Sequence, residues 1–496
     1  MKVLLAGYNL DSSVIEDLKG DQSRADVTPE TLSASYARIS RDARPVDELR
    51  AVARREVGKA RRSNQNIIFK MGHHSVAEHA VFNFDILEIS RLAIEELERF
   101  RLCSFTEKSQ RYVTLENDYV VPEEVVKAGL DGLFVATVKE QNVMYHRLYK
   151  RLKPHVFDAH PELARSEKKH HILDGWAKED ARYAVCLATE GQLGMTLNAR
   201  NLEHMIRRMA CSPLAEIRNL KGKLHDLVKE VAPSIILFTE ASDFDSRTYD
   251  DLKDRTDDIA HDSPDPAGDT VRLVNSTQNG DTRLVAALLQ TSSRWSFDRC
   301  LDEAGKLSTG EQKEFIKTAF QHMEFYDSVL REFEHLNLTF ELVMSATCFA
   351  QLKRHRMATI TTQKYDPILG VAIPPSIREV GEEKAFMEVI ERSEEAFFRM
   401  NAVLESGAEY ILTNAHRKRV LLHVNARELY HISRLREDPT AQWDIREVSE
   451  RMSDIARQEM PLTFLLLGGK DGFPSAYQKV FGHPPKLQPP PSHGSE

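Results

Sequence analysis

Hydrophobic and polar residues alternate through VFNFDIL (81–87) and again through NLTFELV (337–343), the period-two pattern of half-buried strands. The chain opens on MKVLLAGYNLD, a short apolar run closed by turn residues, and VRLVNSTQNGD (271–281) has the same form. Each predicts a strand. Apolar positions in PVDELRAVARREVGKARRS (45–63) and REVSERMSDIARQEM (446–460) recur every three or four residues, which predicts amphipathic helices. NARNLEH (198–204) and NARELYH (425–431) each predict a helix start with Asn as N-cap. The mixture reads as α+β, in two domains.

The elements recur in one order. LSASYARISR (32–41) is answered by VAALLQTSSR (285–294), and Glu78-His79 before FNFDI by Glu334-His335 before LTFEL. RFR (99–101) and RHR (354–356) follow, each leading to a stretch read as a strand, with VP at 121–122 and PP at 374–375. The NAR stretches come next, then EIR (216–218) and DIR (444–446). Six landmarks in the same order imply an internal duplication. Arg99 lies 99 positions before Asn198, but Arg354 only 71 before Asn425, so the first half holds extra residues between Asn117 and Arg182. The acidic DDLKDRTDDIAHDSPDPAGD (250–269) reads as a linker and the Pro-rich stretch from Pro484 as a disordered tail. The expected domains are therefore 1–249 and 270–483, with the tail at 484–496.

Composition narrows the class. A chain of 496 residues, 41% hydrophobic and 29% charged, matches ordinary globular protein. A net charge of −9 argues against a general polyanion binder, although a local basic patch can coexist with an acidic whole. No nucleic-acid partner is expected. The five cysteines are scattered without CxxC pairs, which suggests neither a disulfide framework nor a zinc cluster and fits a reducing compartment. No apolar run reaches membrane-spanning length, and the N-terminus turns polar too soon for a signal peptide. A cytoplasmic protein is expected.

Paired guanidinium forks suit phosphate and carboxylate oxygens, although an isolated RxR is more often two solvated charges. Ser109, Arg111 and Tyr112 add a hydroxyl, a fork and an aromatic plane, a set suited to a nucleotide. Ser109 lacks the G-x-S-x-G setting of a nucleophile and reads as a hydrogen-bonding residue. HHSVAEH (73–79) lacks HExxH spacing, so no metal site is expected. Glu78-His79 and Glu334-His335 suit a helix-start hydrogen-bond network. Arg and His four apart in each NAR stretch share a helical face. Neither GxGxxG after a strand nor a P-loop occurs.

Together these landmarks resemble the flavin-dependent thymidylate synthase family (ThyX). The first half carries the resemblance in HHSVAEH, FNFDILEISR, RFRLCSFTEKSQRY, ARY (181–183) and NARNLEH. The second carries it in FEH, QLKRHR, NARELYH, LR (435–436) and AQWDIR (441–446). The resemblance implies two tandem ThyX-like domains, each a twisted, mostly antiparallel sheet packed with helices, forming a pseudo-dimer. It implies FAD as cofactor and dUMP as substrate, with methylenetetrahydrofolate as carbon donor and NADPH as reductant. Carried over, the dUMP residues are Glu107, Lys108, Ser109, Gln110, Arg111, Arg182, Gln351, Arg354 and Arg436, with Arg436 catalytic through the uracil edge. The FAD residues are Ser75, Glu107, Arg354, His355, Arg356, Asn198, Arg200, His204, Asn425, Arg427 and His431, and His73 and His74 lie on the folate and flavin side.

The two halves depart from the pattern in complementary ways. The first has Glu96, Phe100 and Met209 where the family has Gln, His and Arg. The second has Thr362, Lys364, Asp366 and Glu409 where the family has Glu, Ser, Arg and Arg. The expectation is one composite dUMP site per chain and a homodimer that forms a pseudo-tetramer. The alternatives are flavin- and folate-dependent modification of another pyrimidine nucleotide, such as hydroxymethylation, or a non-catalytic FAD- or nucleotide-binding paralogue.

Overall fold

The computed structural model describes residues 1–18, 27–111, 113–116, 118–259, 265, 267–325 and 327–486. Tyr112, Asn117, part of the expected linker (260–264 and 266) and most of the expected tail (487–496) lie outside the described residues. The chain forms two compact units. One comprises Met1–Ser263 with Pro375–Thr413, the other Pro264–Pro374 with Asn414–Glu496. The first half of the expected linker is helical, closing the Asp243–Ile259 helix.

Strands β1 (Lys2–Tyr8), β2 (Val81–Ser90), β3 (Ser104–Glu107) and β4 (Glu190–Asn198) form an antiparallel sheet in the first unit, in the order β1-β2-β4-β3. Strands β5 (Val271–Ser276), β6 (Asn337–Ser345), β7 (Thr359–Thr362) and β8 (Arg417–Asn425) repeat that order as β5-β6-β8-β7 in the second. Even the irregularity repeats: β1 bulges between Leu5 and Gly7, opposite Phe84 and Asn83, and β5 between Leu273 and Asn275, opposite Phe340 and Thr339. The alternation read from the sequence is the reason for the layering. Phe82, Phe84 and Ile86 are buried beneath the first sheet while Asn83 and Asp85 face solvent; Leu338, Phe340 and Leu342 are buried likewise in the second.

The helix starts follow from local chemistry. Asn198 and Asn425 cap the Ala199–Ala210 and Ala426–Arg436 helices, their side-chain oxygens accepting from Asn201 N at 2.9 Å and Glu428 N at 2.8 Å. Ser90 and Ser345 cap the helices Arg91–Leu97 and Ala346–Leu352. Each serine also donates to the carboxylate of the EIR or DIR stretch, Ser90 to Glu216 at 2.6 Å and Ser345 to Asp444 at 2.5 Å. Those acidic landmarks therefore fasten the helix that leads into each RxR turn.

Two readings are corrected. The stretches holding Val121-Pro122 and Pro374-Pro375 are not strands; pairing there is limited to the single bridges Tyr119–Thr189 and Val371–His416. Proline lacks the N–H a ladder needs, and short helices begin there instead, Glu123–Lys127 and Pro375–Glu379. The periodic stretch 45–63 is two helices, Val46–Arg55 and Val57–Asn64, broken where Glu56 leaves helical geometry.

The extra residues of the first half are helical. They lengthen the Asp131–Ala159 helix and add the His170–Ala181 helix that packs against it. The Glu383–Asn401 helix of the second half also packs on Asp131–Ala159 within the first unit. Buried Gln141 donates to Ser393 Oγ and to the Ile411 carbonyl, both at 2.8 Å. Among the described residues, no helix is long and apolar enough to cross a membrane.

Candidate functional site

In the second unit the chain leaves the Ala346–Leu352 helix, turns through Arg354-His355-Arg356 and enters β7. The turn sets the directions of its three side chains: Arg354 and Arg356 are exposed, while His355, 3% exposed, points inward. There it meets the Ala426–Arg436 helix. Arg436 Nε donates to His355 Nε2 at 3.0 Å, and Arg436 Nη1 donates to Gln351 Oε1 at 2.9 Å. His355 Nδ1 stands 3.5 Å from Glu428 Oε1, and its ring meets His431 edge-on at 5.6 Å. Burial lowers the His355 pKa; the Glu428 carboxylate opposes this and the Arg436 charge adds to it. The imidazole is therefore neutral at physiological pH. Sequence-predicted Gln351, His355, Arg436 and His431 thus form one corner, flanked by Arg354 and Arg356.

A second group of predicted residues lies in the first unit, where β3 ends at Glu107. Lys108 N donates to the Gln192 carbonyl at 2.9 Å, and Ser109 Oγ accepts from Arg111 N at 3.1 Å, so the hydroxyl shapes its own turn. Arg111 is ion-paired to Glu179. Arg182 is buried and its Nε donates to the Glu179 carbonyl at 3.2 Å. Burial pulls the Arg182 pKa down, the Glu179 carboxylate resists, and the charges of Arg111 and Arg91 add to the lowering. One residue, Glu179, thus joins the two arginines read as nucleotide ligands, its carboxylate pairing with Arg111 and its backbone carbonyl accepting from Arg182.

The helix holding Glu179 is itself fastened by Asp174. Its carboxylate accepts from Tyr149 at 2.5 Å, from Lys153 at 2.9 Å and from Lys178 at 2.6 Å. Burial pushes the Asp174 pKa up, but the bonds from Lys178, Tyr149 and Lys153 outweigh it and hold the group at about 2.

The NAR residues carry structural duties. Asn198 and Asn425 use their oxygens as caps, and the arginines pair with the EH landmarks, Arg200 with Glu78 at 2.5 Å and Arg427 with Glu334 at 2.8 Å. The network read for Glu78 and Glu334 is thus an ion pair from the end of a 3₁₀ turn to a helix start. Exposed His73, His74 and Ser75 lie at the turn that packs against the Ala199–Ala210 helix. Among the described residues, no three His, Cys, Asp or Glu side chains group to hold a metal ion.

A family model described as Thy1, thymidylate synthase complementing protein, matches residues 24–234 and again 272–462. A flavin-dependent thymidylate synthase of Clostridium tetani is 30% identical over 218 residues, covering 43% of this chain and 83% of that protein. The chain belongs to the flavin-dependent thymidylate synthase family. A UPF0159 protein of Thermoplasma acidophilum is 24% identical over 472 residues, 84% of this chain and 91% of its own length. A solved ThyX structure from Helicobacter pylori, complexed with FAD and dUMP, covers 48% of this chain and 100% of its own, at 18% identity and a TM-score of 0.32.

With two ThyX-like halves in one chain, the matching corner of the first half can be compared directly. Phe100 takes the place of His355 and packs edge-on against His204 at 5.9 Å. Glu96, in the place of Gln351, pairs with Arg99 at 2.9 Å. Met209, in the place of Arg436, is buried. Arg207 and Arg208 beside it are held by Asp245 at 3.2 and 3.0 Å. In the second half, Asp366 occupies the position of Arg111 and caps the Pro367–Leu369 turn, accepting from Ile368 N at 3.0 Å.

Two residues of the site were missed by sequence reading, Glu179 and Glu428. Each had a faint signal: Glu179 lies three residues before Arg182, and Glu428 three before His431, one helical turn away.

Proposed function

We propose that this chain is an FAD-dependent thymidylate synthase, methylating dUMP to dTMP with methylenetetrahydrofolate as carbon donor and NADPH as reductant. In this reading, Ser109, Arg111 and Arg182 take the phosphate and ribose, while Gln351, Arg354 and Arg436 take the base and its surroundings. The proposed site is single and composite, and the working assembly a homodimer. The observation that carries the reading is the Gln351–His355–Arg436 corner. An arginine held at both Nε and Nη1 is pre-set to face negative charge, as charge developing on a pyrimidine requires.

The donor set also suits FAD. Exposed Arg354 and Arg356 flank one turn, with exposed His431 on the adjoining helix, a pattern matched to a diphosphate. When bound, the flavin supplies the redox chemistry; the residues here bind and orient. The test is a flavin spectrum of the purified chain, followed by a dUMP-dependent assay for dTMP with methylenetetrahydrofolate and NADPH. A colourless protein without turnover refutes the reading. Arg111→Ala and Arg436→Ala are each expected to abolish dUMP binding, and separable effects at two sites would refute the composite site.

A second reading has one observation in its favour. The Thermoplasma acidophilum relative, which aligns along both halves, bears a name without an activity. Modification of another pyrimidine nucleotide, or binding without catalysis, is the corresponding outcome if dUMP binds and no dTMP forms.

A further inference from the structure

His355 is buried, yet one of its nitrogens is committed to a cation. Its Nε2 accepts from Arg436 Nε at 3.0 Å, and a nitrogen that accepts from a guanidinium carries no proton. The proton of the neutral ring therefore sits on Nδ1, which faces Glu428 Oε1 at 3.5 Å. The titratable groups facing the ring from the Ala426–Arg436 helix are Glu428, His431 and Arg436. The Ala346–Leu352 helix contributes uncharged Gln351, which accepts from the same Arg436, and Lys353, Arg354 and Arg356 lie in the histidine's own turn.

The first half shows that packing alone does not demand this histidine. Phe100 fills the same place against His204 with similar edge-on geometry, 80° at 5.9 Å against 72° at 5.6 Å. What changes with it is the polar set. Where His355 becomes Phe100, Arg436 becomes Met209, Gln351 becomes Glu96 and Glu428 becomes Asn201, while the second histidine, His431 or His204, stays. The acceptor, the arginine and the carboxylate are present together or absent together.

We propose that His355 and Glu428 are positioning residues for Arg436: the neutral, Nδ1-protonated imidazole holds the guanidinium against Gln351, and protonation of the ring releases it. A charged imidazole has donors on both nitrogens, so it would set donor against donor and cation against cation at hydrogen-bond distance. This inference rests on the reading of Arg436 as the base-side arginine. It adds that nucleotide affinity falls on the acid side as His355 gains its proton. Burial keeps that transition below the ordinary histidine range, so the corner is intact at neutral pH.

The test uses the full chain labelled with nitrogen-15 histidine, with His355→Gln to assign the ring. Long-range proton–nitrogen spectra at neutral pH are expected to show the Nδ1–H tautomer; an Nε2–H tautomer or a charged ring overturns the proposal. dUMP is then titrated calorimetrically from about pH 8 to about pH 5. Wild-type affinity is expected to fall roughly tenfold per pH unit below the His355 transition. His355→Gln offers an amide oxygen that accepts from Arg436 without titrating, and its affinity should fall much less. Protonation of the dUMP phosphate, near pH ~6, is common to both proteins, so their difference isolates the ring. Glu428→Gln should move the transition to lower pH by removing the charge that favours the imidazolium. Identical acid limbs in wild type and His355→Gln overturn the proposal. A wild type that shows the tautomer but binds no dUMP at any pH refutes the nucleotide reading of Arg436 and leaves the positioning pair standing.

Discussion

The RHR turn of the second half and the RFR turn of the first sit on the same scaffold and do different work. Each follows a serine-capped helix, leads into a short edge strand, and packs its middle residue edge-on against a histidine of the NAR helix. In the second half the middle residue is a hydrogen-bond acceptor for Arg436. In the first it is Phe100, the arginine is a buried methionine, and the neighbouring cations Arg207 and Arg208 are tied to Asp245. The backbone is insensitive to this difference because ring packing and helix capping fix it, and both survive the exchange. Chemistry can therefore leave one corner while the fold stays in both.

Copying one corner onto the other tests this. The largest effect is expected from Arg436→Met, which reproduces Met209: removing the guanidinium proposed to face the base should weaken dUMP binding about 100-fold or more. Unchanged affinity by calorimetry would show that the two corners are equivalent. The reverse exchange, Met209→Arg, places a cation at a buried position beside Arg207 and Arg208. It should cost about 3 kcal/mol in urea unfolding and add no second dUMP equivalent.

Asp245→Asn tests the clamp that marks the first corner. Burial raises the Asp245 pKa, but bonds from Ser242 and Arg208 and the Arg207 charge bring it down to about 2. A lowered carboxyl pKa stabilises the fold fully above the ordinary value of 3.8, and that contribution is lost as pH falls toward about 2. Asp245→Asn should be less stable at neutral pH, and the two unfolding curves should converge across that acid interval. Parallel curves down to the lowest pH would refute the clamp. The smallest effect is expected from Phe100→His, which restores the missing ring without its arginine. Stability should change by less than ~1 kcal/mol, with no gain in nucleotide binding.

Much of this was legible from the chain. The strands β2 and β6 are visible because their alternation matches the pleat, and the NAR helices because Asn is a strong N-cap. Gln351, Arg354 and Arg436 were legible as a set only through the resemblance to the flavin-dependent thymidylate synthase family, not from local pattern. The helix break at Glu56 and the helices at Pro122 and Pro375 were not, since proline and local dihedrals decide ends that periodicity blurs. Glu179 and Glu428 look like ordinary charges on helical faces, and nothing in their local sequence says which cation each will meet.

The sequence by itself determined the repeated order of elements, the capping residues and which half keeps which polar side chains. These are properties of neighbours within a turn or a pleat, where spacing along the chain is spacing in space. Only the tertiary structure decided that His355 turns inward between Arg354 and Arg356, that its Nδ1 faces Glu428, and that Glu179 joins Arg111 and Arg182. Those facts depend on helices distant in sequence meeting at hydrogen-bond range, and burial then sets which protonation state survives.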